Sequence, residues 1–139
     1  MRARININGS NTKLQMAFLA AKAWLGLAFF DALLWQESFA TMLQRVHNWK
    51  LSTESSQPET VSRICLALNI ACTYYPKRVL CLQRAAVGTC LLREYGFRAK
   101  MVIGVRIMPL LAHAWVEVDG AVVNDLPRVQ KYYDCLTSN

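Results

Sequence analysis

The sequence predicts an α+β domain in which helices pack on a small antiparallel sheet. Two observations support this prediction. As far as Gly96, apolar residues recur at helical spacing between polar or proline-containing breaks. From Phe97 onward short apolar segments show the residue-by-residue alternation typical of strands, and Asp119-Gly120 marks a tight hairpin turn. With 139 residues, of which 54% are hydrophobic, the chain is sized for one compact core.

The first helix is predicted over the apolar stretch from Met16 to Trp35. This stretch is long enough to span a bilayer, but Lys22 and Asp31 lie inside it, and each charge costs roughly 2.5–3.5 kcal/mol near a membrane centre. We therefore expect a helix packed on the domain, with docking to a partner protein or contact with a membrane surface as alternatives. Helical spacing predicts a core-facing side made of Leu14, Phe18, Leu25, Phe29 and Leu33. The helix also has a second apolar side, made of Trp24, Leu27, Leu34 and Trp35. One small core does not need both sides, so some apolar surface should stay exposed. His47, near the end of this helix, is expected at the surface or as a C-terminal cap.

Residues 1–57 are predicted to form an N-terminal helical extension and linker, and residues 58–139 the catalytic core. The boundary follows the polar break LSTESSQP, from Leu51 to Pro58. Pro58 suits the first turn of the next helix, and Glu59 suits its positive end. That helix is expected to close at Tyr74-Tyr75-Pro76 and to bury Ile64, Leu68 and Cys72.

A further helix is predicted over CLQRAAVGTCLLREYG, beginning at Cys81 and ending at Gly96. Cys90 lies nine residues after Cys81, which is roughly half a turn of rotation, so it should face away from the Cys81 side. The chain has five cysteines and no CxxC pair, and with two histidines it matches no zinc spacing, so we expect no metal and no cofactor. Cys65, Cys72 and Cys90 are expected to act as buried small hydrophobes. The odd thiol count and the lack of a signal-peptide pattern predict a cytoplasmic protein.

The C-terminal part is predicted to be sheet. Met101, Ile103 and Val105 mark one strand, and Pro109 interrupts the run that follows. In the next strand the residues on one face are Ala112, Ala114, Val116 and Val118, and those on the other are His113, Trp115 and Glu117. A two-residue turn at 119 and 120 pairs residue 114 with residue 125, so Asp125 should lie within one position of His113 across the hairpin.

Cys81, His113 and Asp125 are the candidate catalytic residues. The pKa of a free cysteine is about 8.5, and the positive end of a helix and a neighbouring imidazolium both favour the thiolate. A carboxylate on the far ring nitrogen would fix the tautomer and orient the ring. On this interpretation Cys81 is the nucleophile, His113 the base and Asp125 the orienting group.

The residues around these positions carry a family resemblance. The segments occur in the order C-L-Q-R-A-A, L-L-R-E-Y-G-F-R-A, I-G-V-R, A-H-A-W-V-E-V-D-G and V-N-D. The ordered set resembles the transglutaminase-like cysteine peptidase of lasso-peptide maturation, which removes the leader from the precursor before macrolactam closure. The resemblance is densest from Cys81 to Asp125 and looser upstream to about Glu59. It implies a papain-like, transglutaminase-like fold and a triad that maps onto Cys81, His113 and Asp125.

Two departures from the family pattern stand out. The family more often has Ser where Ala85 stands, and many members carry an N-terminal leader-binding domain that this chain is too short to hold. The resemblance then implies a separate leader-recognition protein as partner, beside the precursor peptide and a lasso cyclase. The alternatives are a non-catalytic peptide-binding or adaptor domain and a thiol acyltransferase of transglutaminase type. Arg84, one turn past Cys81, is expected to hold a carboxylate, help to structure the site or form a structural salt bridge.

The charge of +7 and the pI near 9.4 arise from scattered Lys and Arg residues rather than from a run. Such a pattern favours simple solubilising charge, with an acidic partner as the alternative. Nucleic acid is not an expected partner.

Overall fold

A computed structural model describes residues 7–138, and the side chains of residues 12–136 within them. In this range five helices pack on one antiparallel sheet of four strands, which confirms the predicted α+β class. In chain order the elements are α1 Ile7–Gln36, α2 Phe39–His47, α3 Glu59–Tyr74, α4 Cys81–Glu94, β1 Ala99–Arg106, β2 Leu111–Val118, β3 Ala121–Val122, α5 Val129–Tyr132 and β4 Asp134–Ser138.

Helix α1 packs against α3 and α4, as expected, but the predicted core-facing side is wrong. Leu14, Phe18 and Leu25 are each at least 65% exposed, and of the predicted side only Leu33 is buried. The buried side consists of Leu19, Ala23, Leu27, Phe30 and Leu33. Apolar residues occur all round this helix, so periodicity alone does not select a face. Close packing at a glycine marks the buried side instead: a Cβ added at Gly26 would lie 3.1 Å from Val87 of α4, so the two helices are in close approach.

The first helix ends at Gln36, and His47 lies at the end of a separate helix, α2, which the sequence analysis did not separate from α1. Ser38 caps α2 in an extended conformation, and its Oγ accepts a hydrogen bond of 3.3 Å from the Thr41 N–H. His47 is exposed, as expected. Its carbonyl accepts a 3.0 Å hydrogen bond from Arg93 Nη1, which also donates to the Val46 carbonyl at 2.7 Å. Arg93 thereby fastens the end of α2 to α4.

The polar segment before α3 forms neither helix nor strand, in agreement with the predicted linker. Helix α3 starts at Glu59 and ends at Tyr74, and it buries Ile64 and Leu68 while leaving Cys72 half-buried. Apolar residues of α1, α2, α3, α4 and the sheet share one core cluster. The division of the chain at residues 57 and 58 stays a prediction.

The sheet has the order β3-β2-β1-β4 with antiparallel pairing throughout. On β2, Ala114 and Val116 face the helices, whereas Trp115 lies on the other face with Val102 and Val129. Residues 107–110 separate β1 from β2 and include Pro109, the predicted interruption. The sequence analysis did not predict α5 or β4. They cover the Trp115 face and extend the sheet beyond β1.

Candidate active site

A cleft of about 830 Å³ opens where the start of α4 meets α3 and the end of the β2–β3 hairpin. All three predicted site residues line it. The other lining residues are Cys65, Asn69, Arg78, Val79, Leu80, Arg84, Ala114, Val123, Asn124 and Leu126.

Cys81 is the first residue of α4, as the sequence predicted, and it is exposed to solvent. The preceding residue, Leu80, has extended backbone angles and forms the N-cap. The first regular hydrogen bond of the helix runs from the Arg84 N–H to the Leu80 carbonyl at 3.0 Å. The thiol therefore lies at the end of a helix where free N–H groups produce a local positive potential.

His113 and Asp125 form a pair. His113 Nε2 lies 2.5 Å from Asp125 Oδ2, and each side chain is 27% exposed. Because an ionised carboxylate only accepts hydrogen bonds, the proton of this contact belongs to Nε2. The second carboxylate oxygen accepts a hydrogen bond of 2.7 Å from the Leu126 N–H, which fixes the rotamer of Asp125. The other ring nitrogen, Nδ1, is thus free of Asp125 and takes the unprotonated form in the neutral ring.

The hairpin that delivers Asp125 has the predicted register. Glu117 pairs with Val122 and Val118 with Ala121 around a turn whose central residues, Asp119 and Gly120, have φ of 51° and 81°. Past Val122 one backbone hydrogen bond continues the ladder, from the Val123 N–H to the Val116 carbonyl at 3.0 Å, and a side chain replaces the return bond. Asn124 Oδ1 accepts a hydrogen bond of 2.7 Å from the Val116 N–H, and so occupies the position that a backbone carbonyl would take in a regular ladder. The next residue, Asp125, reaches the imidazole of His113.

Two aromatic rings hold the imidazole from the side away from the helices. The His113 ring is stacked on Trp115 with centroids 6.2 Å apart, and the Tyr133 ring lies 5.5 Å away. A Cβ at Gly104 would approach the Trp115 ring to 2.6 Å and Tyr133 Cβ to 2.7 Å, so only glycine leaves room for this arrangement. Tyr133 was missed in the sequence analysis, because the last segment of the chain gave no strand signal that would return it to the sheet.

A polar network supports the start of α4 and was also missed. The Gln83 side chain is 2% exposed. Its oxygen accepts a hydrogen bond of 3.2 Å from the Leu80 N–H, and its nitrogen donates one of 3.0 Å to Asp31 Oδ1 of α1. Asp31 also accepts from Lys77 Nζ at 2.7 Å and from the Tyr75 hydroxyl at 3.1 Å. The hydrogen bond from Lys77 is the main cause that holds the Asp31 pKa below its usual value. A glutamine three residues after an N-cap was the available signal.

The α3 wall of the cleft carries a second thiol. Cys65 is half-buried and its Sγ donates to the Val123 carbonyl at 3.3 Å, and burial raises its pKa. The expectation that Cys65 is a plain core residue is therefore wrong, because one side of it faces the cleft. Cys90 is buried on the α1 side of α4, away from the cleft as predicted, and burial raises its pKa to about 12.

Arg84 lies on α4 and reaches across to α3. Its Nη2 donates to Asn69 Oδ1, and it forms no salt bridge with any carboxylate in the described part of the chain, so the structural ion pair considered for it is absent there. A separate cavity of about 550 Å³ lies between α1 and α3 and shares no lining residue with the cleft.

Comparison with known proteins matches residues 26–138 to the family model of the transglutaminase-like superfamily, which is most of the chain and contains every residue of the cleft. The chain belongs to the transglutaminase-like superfamily. This membership, with the helices and sheet described above, confirms the predicted fold. A stretch of 50 residues is 40% identical to the microcin J25-processing protein McjB of Escherichia coli.

The match to McjB spans 36% of this chain and 24% of the length of McjB. No solved structure shows a significant match to the chain.

Proposed function

We propose that this transglutaminase-like protein is a cysteine peptidase that removes the leader from a lasso-peptide precursor. The observation that carries the proposal is the His113–Asp125 pair in a cleft that also holds the exposed Cys81 at a helix start. A thiol, an imidazole and a carboxylate that face one open cleft are the parts that nucleophilic catalysis requires. The similarity to a protein named for microcin J25 processing supports the choice of substrate class.

In the proposed mechanism His113 Nδ1 takes the proton of the Cys81 thiol. The thiolate attacks the carbonyl carbon at the junction of leader and core and gives a tetrahedral intermediate. As the C–N bond breaks, the imidazolium donates its proton to the departing amine, and a thioester remains on Cys81. Water, deprotonated by His113, then attacks the thioester, releases the leader as a carboxylic acid and returns the thiol. The net reaction consumes one water and one peptide bond.

Asp125 keeps the imidazole in the tautomer that this mechanism requires, because its carboxylate binds the Nε2 proton and leaves Nδ1 for the thiol. For the oxyanion we assign the Cys81 N–H, which lies among the first N–H groups of α4 that have no partner within the helix. The Gln83 side chain is excluded as a further donor, since it is only 2% exposed and its amide nitrogen is directed to Asp31 of α1.

We further propose that the substrate is presented by a separate leader-recognition protein, that a lasso cyclase consumes the released core, and that the reaction takes place in the cytoplasm. A reducing compartment suits a catalytic thiol and five free cysteines. Presentation by a partner raises the local concentration of substrate without any new contact in the cleft.

The test is to incubate the protein with the precursor encoded beside its gene, with and without candidate recognition proteins, and to measure product masses. We expect the free leader and core with one water added. Cys81→Ala should abolish this cleavage, whereas Cys90→Ala should process the precursor at a rate close to wild type, because Cys90 is buried away from the cleft. Processing by Cys81→Ala at the wild-type rate would refute the proposal.

Two other outcomes identify the alternative functions. A product joined to an amine instead of water would indicate an acyltransferase. Binding of the precursor with no change in its mass under any condition would indicate a peptide-binding adaptor.

A further inference from the structure

The cleft has more positive charge than its own residues neutralise. Three charged side chains other than His113 line it: Arg78, Arg84 and Asp125. Each oxygen of the Asp125 carboxylate already accepts one hydrogen bond, one from His113 and the other from the Leu126 N–H. Neither arginine forms an ion pair with a described residue.

Arg84 is the more informative of the two arginines. It is half-buried, and the only hydrogen bond that its side chain makes to a described residue goes to the neutral amide oxygen of Asn69. Its Nε is buried and has no hydrogen-bond partner among the described residues. Burial of a guanidinium is costly unless an anion or several acceptors compensate it, and here the described residues supply one amide.

The position of Arg84 places this unpaired charge beside the reacting group. It follows Cys81 by three residues on α4, which is about 4.5 Å along the helix axis. An extended peptide advances by about 3.3 Å per residue. A peptide whose scissile carbonyl lies at Cys81 therefore brings the side chain of a residue within about two positions of the cleaved bond to the Arg84 guanidinium.

We infer that Arg84, with Arg78 at the rim of the cleft, forms a subsite for the carboxylate of an Asp or Glu side chain close to the scissile bond. Guanidinium and carboxylate match in shape as well as charge, and each ionised hydrogen bond is stronger than the amide contact that Arg84 makes now. The inference rests on the proposed peptidase function and adds a residue that determines its specificity.

The experiment compares precursor peptides that differ only by Asp or Asn at one position, from the third residue before the cleaved bond to the third residue after it. With wild-type protein and recognition partner we expect one position at which Asp raises kcat/KM at least about 10-fold over Asn, which corresponds to about 1.4 kcal/mol. In Arg84→Gln this ratio should fall to about one. In wild type the ratio should also shrink as salt rises from about 0.05 to about 0.5 M, because screening weakens the ion pair.

Arg63→Gln is the matched control. Like Arg84, Arg63 donates to an amide oxygen, that of Gln15 at 3.3 Å, but it lies outside the cleft. It should keep the wild-type ratio even if partner docking at the cavity between α1 and α3, which Arg63 lines, becomes weaker, because the same partner presents both peptides of a pair. If Arg84→Gln does not fold, Arg84→Lys and the salt series in wild type carry the test.

The failure of this inference and the failure of the proposed function have different signatures. If wild type cleaves both members of every Asp/Asn pair at equal rates, there is no carboxylate subsite, although the peptidase function stands. If the ratio persists in Arg84→Gln, the assignment to Arg84 is wrong. If no peptide is cleaved by wild type under any condition, the proposed function itself fails, and the subsite with it.

Discussion

Asp31 of α1 accepts a 3.0 Å hydrogen bond from the side chain of Gln83, which lies two residues after Cys81 on α4. Through its oxygen the same Gln83 amide holds the N–H of Leu80, the residue before the thiol. Helix α1, which ends 45 residues before Cys81, therefore positions the start of α4. This contact makes α1 a structural support of the candidate nucleophile.

Replacing Gln83 by Leu should weaken both the fold and the activity. The variant loses two hydrogen bonds at a nearly fully buried position, and we expect a loss of about 1–2 kcal/mol in the free energy of unfolding, measured with urea. Processing of the precursor should slow by roughly 10- to 100-fold, because small displacements of a nucleophile are costly. Lys22→Gln is the control, since Lys22 pairs with Glu94 at a site away from the cleft. An unchanged processing rate in Gln83→Leu would show that the network only adds stability.

The network also predicts how stability depends on pH. The pKa of Asp31 is lowered in the folded protein, chiefly by its hydrogen bond with Lys77, against an ordinary value of 3.8. The unfolded chain therefore binds a proton at higher pH than the folded chain does, and the contribution of Asp31 is present above about pH 3.8 and is lost as pH falls through the folded pKa. In urea unfolding from pH 7 to pH 2, Asp31→Asn should be less stable than wild type at pH 7 and lose less stability on acidification. Parallel curves for the two proteins would contradict this assignment.

Thiol reactivity reports the environment of Cys81 directly. In a short reaction with iodoacetamide near pH 7.5, peptide mapping should find Cys81 modified at least about 10-fold faster than the exposed Cys135, because Cys81 shares its cleft with the imidazole of His113, which can accept the thiol proton. Cys90 should not react, because it is buried and its pKa is about 12. His113→Ala should slow only the reaction of Cys81. Equal rates at Cys81 and Cys135 in wild type would mean that nothing in the cleft activates the thiol.

Asp125→Asn preserves the shape of the side chain but removes the charge that selects the tautomer of His113. The processing rate should fall on the order of 10- to 10⁴-fold, where the upper end is the value for a serine-protease triad. The unfolding curve should change little, since Asp125 is partly exposed and the amide oxygen of Asn can accept the same hydrogen bond from the Leu126 N–H. A variant with wild-type kinetics would reduce the proposed triad to Cys81 and His113.

The exposed side of α1 is the expected contact of the recognition partner. Leu14 and Phe18 are 71% and 65% exposed and line the cavity between α1 and α3. A double substitution of these residues by Lys should lower the stimulation of processing by the partner at least about 10-fold. The rate of Cys81 alkylation should not change, because this cavity shares no residue with the cleft. Leu66→Lys, at another exposed leucine, is the control. If wild type processes the precursor equally fast with and without every candidate partner, the chain binds the leader without a partner.

The parts of the molecule that the sequence predicted are those governed by short-range rules. Gly96 ends α4 with φ of 88°, where a Cβ would collide with the Glu54 carbonyl, and a glycine at the end of an apolar period signals such a turn. The Asp119-Gly120 turn fixes the hairpin register, and the register brings Asp125 to His113. The start of α4 at Cys81 was predicted from the segment CLQRAAVGTCLLREYG.

The parts that the sequence did not predict depend on tertiary packing. The buried face of α1 is selected by Ala23 and Gly26 against α4, a choice that an all-round apolar helix does not encode in its period. Tyr133 reaches His113 only because β4 pairs with β1 across 29 to 36 residues of chain. The bond between Gln83 and Asp31 joins two helices that are not adjacent in sequence. In each case the contact, and not the local pattern, decides the outcome.

The two charges within α1 also have a consequence for synthesis of the protein. The segment Thr12–Gln36 has a mean hydropathy of 1.6, by length and composition enough to cross a membrane, and it is made before either of its ionic partners exists. Lys22 and Asp31 penalise insertion of the nascent segment into lipid. Once Lys77 and Glu94 have been made, the same two charges bind them and attach α1 to the loop before α4 and to the last residue of α4. The order of synthesis thus gives each charge two successive roles, first to raise the cost of inserting the segment into lipid and then to attach α1 to the finished domain.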